Sequence, residues 1–202
     1  PSDLSACDSY TLPALTAGNA YYTLTNKGGT LLNAGDAITA TQTIFVYKET
    51  GTTPNCSDEN SFVVTINATP VLGASKTDPT ACATATGSIT LTGLVNGTSY
   101  DWTYTDPAAT VVTGTSVANA AGQISLGAAF AAGSYSNIQV TANACPSNTT
   151  SVTLNDPSAP TVDAGPAQSV CAGSNVTLSA TVSGGASISW NTAPTESQCI
   201  RK

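Results

Sequence analysis

With 202 residues, 8 % of them charged, 41 % hydrophobic and neither His nor Met, the chain has room for one large domain or two to three small ones. It lacks the composition of a disordered tail and of a helical bundle. A formal charge of −7 with five basic residues excludes nucleic acid as a partner, because few phosphate counterions could be released. No His means no Ser–His–Asp or Cys–His site, no CxxC pair means no zinc ribbon, and no apolar run approaches the roughly 18 residues of a membrane helix. No enzyme activity and no direct membrane insertion are therefore expected.

Thr, Ser, Ala, Gly and Asn dominate, which suits short strands and tight turns. In chain order, period-two patterns predict strands at Tyr10–Leu12, Tyr21–Leu24, Thr41–Tyr47 and Phe62–Ile66. A second series follows at Ile89–Leu91, Tyr100–Tyr104, Val111–Val112, Ile124–Leu126, Ile138–Val140 and Val152–Leu154. A third begins at Val176–Val182 and Ile188–Trp190. Gly28-Gly29, Gly93, Asn96-Gly97 and Gly184-Gly185 punctuate them. Short strands at this spacing predict an all-β fold of tandem Ig-like antiparallel β-sandwich modules.

The cysteines set the period. Cys56 to Cys82 and Cys145 to Cys171 are both 26 residues, and each interval reads polar turn, alternating strand, Asn, Pro, second Pro, Cys. Proline cannot donate to a central ladder, so these prolines mark linkers. Modules are predicted at residues 1–69 and 70–158, with an incomplete third at 159–202. The absence of an initial Met reads as an internal stretch of a longer protein. Six cysteines without metal-ligating company point to an oxidising, extracellular setting. Each module is expected to close on itself, Cys7 with Cys56 and Cys82 with Cys145, at about 4 kcal/mol per bridge on the chain-entropy model. Cys171 with Cys199 is a further candidate pair.

Trp102 and Trp190 follow Cys82 and Cys171 by 20 and 19 residues, and each is expected to pack over a disulfide in a sandwich core. Asp78, Asp156 and Asp163 flank the linkers, where carboxylates could hold Ca²⁺, the one cofactor the residues suggest. The remaining acids fall mainly at turns, where Asp caps backbone amides.

ACATATGSITLTGLVNGTSYDWTYTDP and GQISLGAAFAAGSYSNIQVTANACPSNTTSVTLNDP resemble the repeats of the giant gliding-motility surface adhesins of Bacteroidota. VDAGPAQSVCAGSNVTLSATVSGGASISWNT resembles the PKD/Ig-like modules beside them, and CDSYTLPALTAGNAYYT with TQTIFVYKETGTTPNC resembles a further repeat. The resemblance implies a type 9 secretion substrate at the cell surface, working in gliding or attachment. The expected function is a non-catalytic stalk segment whose partners are neighbouring modules, surface glycans or the substratum. Two alternatives stand beside it: a filament subunit completed by strand exchange, and a glycan- or protein-binding module.

Overall fold

The computed structural model describes residues 2–158 throughout and, beyond them, residues 160–163, 165, 166, 169, 171, 173–175, 177, 179–183 and 187. Among the described residues every regular element is a β-strand and there is no helix.

The first seven strands are β1 (Leu4–Cys7), β2 (Tyr10–Thr11), β3 (Asn19–Leu24), β4 (Gly28–Leu32), β5 (Ala37–Ile38), β6 (Gln42–Glu49) and β7 (Ser57–Asn67). Five of them form one sheet in the order β1-β7-β6-β3-β4, and β2 pairs separately with β5. Alternation explains which faces turn inward: Ile44 on β6 stands opposite Phe62 on β7, and both are buried with Tyr21, Val64, Leu12 and Ile38. Tyr21 meets Phe62 edge-on at 6.4 Å. The β3–β4 turn is built from two consecutive left-handed residues, Asn26 (φ 53°) and Lys27 (φ 60°), a geometry whose twist matches the strands it joins. Glu59 on β7 caps that turn, accepting from the Asn26 amide at 2.7 Å. The edge strand β1 is the exception to antiparallel pairing. It runs parallel to β7, from Leu4 opposite Val64 to Cys7 opposite Asn67.

After a short linker come β8 (Gly73–Thr77), β9 (Ser88–Thr92), β10 (Ser99–Thr105), β11 (Val111–Val117), β12 (Ile124–Ser125), β13 (Gly133–Ala142), β14 (Cys145–Pro146) and β15 (Thr150–Leu154). They make two sheets. One is β12-β9-β8; the other is β11-β10-β13-β14, with β15 also paired to β13. Ile89 and Leu91 of β9 join Tyr100 of β10, Ile138 and Val140 of β13 and Leu154 of β15 in one buried cluster, so the two sheets share a core. Two last strands, β16 (Val162–Asp163) and β17 (Thr181–Val182), pair antiparallel.

The strands predicted between Tyr10 and Leu154 coincide with, or lie largely inside, β2, β3, β6, β7, β9, β10, β11, β12, β13 and β15. Of those predicted further on, Val176–Val182 is a strand only at Thr181–Val182 among its described residues, and Ile188–Trp190 lies outside the described residues. β1, β4, β5, β8, β14 and β16 were not predicted. The disulfide pattern overturns the expectation. Cys7 bonds to Cys145, not to Cys56, and Cys56, Cys82 and Cys171 are exposed thiols. The reason is positional: parallel pairing with β7 carries Cys7 to Asn67, at the end where the chain leaves the first core. Cys56 sits just before the far end of β7, 11 residues and a full strand length from Asn67.

Candidate functional site at the junction of the two cores

The junction is assembled from three short segments. Asp8 follows β1 in the left-handed region (φ 60°). Its amide donates to the Asn67 carbonyl at 2.8 Å, and its Oδ1 accepts from the Thr69 amide at 2.8 Å. The linker is thereby tied to the start of the chain. The hydrogen bond from the Thr69 amide, followed by one from the Thr69 side chain, holds the Asp8 carboxyl below its ordinary value.

From the other side comes the hairpin between β13 and β14. Its two-residue loop, Asn143 (φ 50°) and Ala144 (φ 64°), has both residues left-handed, which turns the chain back tightly and presents Cys145. Ser147, buried just beyond, locks the hairpin in place. Its amide donates to the Val140 carbonyl at 2.8 Å, its Oγ accepts from the Val140 amide at 3.0 Å, and Gln139 Nε2 donates to the Ser147 carbonyl at 2.9 Å. Asn148 then reaches the linker. Its Oδ1 accepts from the Leu72 amide at 2.8 Å and its Nδ2 donates to the Leu72 carbonyl at 2.9 Å, so one side chain satisfies both backbone groups of one residue.

Between these two arms lies the Cys7–Cys145 bridge, with Cα atoms 5.6 Å apart and the partners separated by 138 positions in sequence. The Cys145 side is fully buried. The bridge thus joins two separate hydrophobic clusters, one drawn from residues 4–66 and one from residues 72–154.

The other predicted site residues are placed elsewhere. Trp102 is half-buried against the second cluster. Its ring stacks on Tyr104 (6.0 Å, 14°) and its Nε1–H donates to Ser116 Oγ at 3.2 Å. The cysteine expected beneath it, Cys82, is instead an exposed thiol that donates to the Pro157 carbonyl at 3.3 Å. Trp190 and Cys199 lie outside the described residues. Asp78 accepts from Lys76 Nζ at 2.6 Å and from the Asn155 amide at 2.9 Å, and the lysine hydrogen bond is the larger cause of its lowered pKa. Asp156 accepts from the Ala83 amide at 3.2 Å and Asp163 from the Gly165 amide at 2.8 Å. Among the described residues no three of His, Cys, Asp and Glu gather into a metal-binding group.

Asp8, Ser147 and Asn148 were not singled out as site residues from sequence. The signal available was Asn143, a residue type that tolerates the left-handed region, two residues ahead of Cys145 and so suited to a hairpin tip.

A second concave feature, a groove of about 480 Å³, lies on the second unit alone. Tyr104, Phe130 and Tyr135 line it, with ring centroids 5.1–5.9 Å apart, and Asp106 stands at its rim. Burial pushes both tyrosine hydroxyls above their ordinary pKa.

Compared with known families and curated proteins, the chain matches no family model and no curated sequence.

Proposed function

We propose that this chain is a non-catalytic structural segment of an extracellular cell-surface adhesin, made of tandem Ig-like sandwich modules stapled in series. The observation that supports it is the Cys7–Cys145 bridge between two separate cores. Tension entering at the amino end and leaving after the second module passes from Cys7 straight to Cys145. Everything between, which is most of both cores, lies inside the closed loop and carries no extending load. A stalk that must hold under pull needs this property; a soluble enzyme does not. The bridge also fits the oxidising, extracellular setting, since structural disulfides persist there.

The test is single-molecule stretching of the chain with and without reductant. The oxidised chain is expected to withhold about 470 Å of contour, from 138 bridged residues at ~3.4 Å each, and to release it after reduction. Equal extension in both states would remove the mechanical reading.

The aromatic groove favours a second reading, a glycan-binding module, because ring faces beside a carboxylate suit sugar C–H and hydroxyl groups. Glycan-array binding that is lost in Tyr104→Ala supports it, and silence across the array argues against it.

A further inference from the structure

The two bridged cysteines hold different positions in their modules, and each module also contains the position the other one uses. Cys7 is at the exit end, beside Asn67, where β7 finishes and the linker starts; the next residue, Asp8, is left-handed and clamps the linker by accepting a hydrogen bond from the Thr69 amide. Cys82 repeats this arrangement in the second module. It lies against Pro157, just past the end of β15, and the next residue, Ala83, is left-handed at φ 55°. Here the carboxylate has moved across the contact: Asp156 on the linker accepts from the Ala83 amide.

Cys145, by contrast, is at the hairpin end, at the turn joining β13 to the final strands of its module. Cys56 is its counterpart. It closes the turn between β6 and β7, its carbonyl accepting from the Thr50 amide at 2.9 Å. Cys56 lies 11 residues before the exit residue Asn67, and Cys145 lies 10 before Asn155. The formed bridge therefore states a rule: the exit cysteine of one module bonds the hairpin cysteine of the module that adjoins it. Within these two modules Cys82 and Cys56 are the unused halves, one of each kind, and both are exposed.

We propose that Cys82 is the exit half of a second inter-module staple, which takes a hairpin-end cysteine from an adjoining module, and that Cys56 of a second copy of this chain is such a cysteine. The inference rests on the repeat reading above. Bond formation runs by thiol–disulfide exchange with an acceptor disulfide, either a protein disulfide or oxidised glutathione. One thiolate attacks the acceptor to give a mixed disulfide and releases one acceptor thiol. The second cysteine thiolate then displaces the other. The two cysteines lose two protons and two electrons, and the acceptor leaves as two thiols.

The experiment uses the full 202-residue chain carrying Cys171→Ser and Cys199→Ser, so that Cys56 and Cys82 are the reactive thiols. Isotope-labelled and unlabelled copies are mixed, oxidised with glutathione disulfide, and mapped by non-reducing digestion. The expected product is a Cys56–Cys82 peptide joining labelled to unlabelled chain, in excess over the two symmetric pairings, with a ladder longer than dimer on a non-reducing gel. Cys82→Ser should abolish the ladder while leaving the Cys7–Cys145 peptide intact. A statistical mixture of pairings, a Cys56–Cys82 bond within one chain, or glutathione adducts alone would overturn the proposal. The Cys7–Cys145 peptide in the same digest reports separately on the stalk: its presence alongside a failed Cys56–Cys82 bond leaves the force-bearing reading standing, and its absence removes both.

Discussion

The two cores are held together by different means. In the second, side chains from two sheets interleave, and Ile89, Leu91, Ile138 and Val140 have no exposed surface. In the first, only six side chains are buried, between one five-stranded sheet and the β2–β5 pair with its loops, with Leu4, Leu15 and Val46 left half-covered. A core that small supplies little surplus over the conformational entropy lost on folding. The Cys7–Cys145 bridge ties the weaker core to the stronger one at the point where the chain passes between them.

The largest break in this comparison is Cys7→Ser. Opening a loop of 138 residues removes about 5 kcal/mol on the chain-entropy model. The first core should then melt before the second, and calorimetry should show two transitions where the bridged chain shows closer coupling. A single unchanged transition would mean the bridge contributes nothing to the first core.

Core truncation sharpens the same asymmetry. Ile89→Ala in the fully covered second core should cost about 3–4 kcal/mol in denaturant melts, from lost burial plus a cavity that packed neighbours cannot fill. Ile44→Ala is equally inaccessible to solvent in the first core, but it should leave the second core's transition in place. If Ile89→Ala and Ile44→Ala shift the same transition equally, the two cores are one cooperative unit.

Packing across the β10–β11 pair gives a smaller, local effect. The Trp102 indole lies over Gly114, where an added Cβ would fall 2.2 Å from its Cζ2. Gly114→Ala should force the ring off its Tyr104 stack, at about 1–3 kcal/mol, and should alter tryptophan fluorescence, while the first core's melting is untouched.

Strand alternation made much of this architecture readable, and its failures have specific causes. Phe62, Val64 and Ile66 announce β7 because a half-buried strand must alternate. β1 (Leu-Ser-Ala-Cys) has too few large apolar residues to do so and is fixed instead by backbone pairing to β7, a long-range contact with no local signature. That one missing strand also misplaced the disulfide. Cysteine spacings suggested a repeat, yet a repeat fixes equivalent positions and is silent on whether equal or adjacent units exchange partners. The acids, on the other hand, were legible as backbone caps: Asp106 accepts from the Ala108 and Thr110 amides, and Asp36 from the Asn33 amide.

Asn148 and Asp8 separate the two arms of the junction. Asn148→Ala strips both backbone partners from Leu72, whose side chain is buried, so about 1–2 kcal/mol should be lost from the second core's side of the contact. Asp8 acts through charge, and its effect is the smallest and depends on pH. Its folded pKa lies below the ordinary 3.8 because the Thr69 amide hydrogen bond favours the carboxylate. A depressed folded value means the contribution is present above 3.8 and is lost as pH falls through the folded value. Asp8→Asn keeps an oxygen acceptor for Thr69 but has no charge to titrate. Wild type should therefore melt slightly above Asp8→Asn at neutral pH, and the difference should close as the solution is acidified below pH 4. A gap that persists unchanged into acid would show that the clamp is held by geometry alone, with the carboxylate charge contributing nothing at the junction.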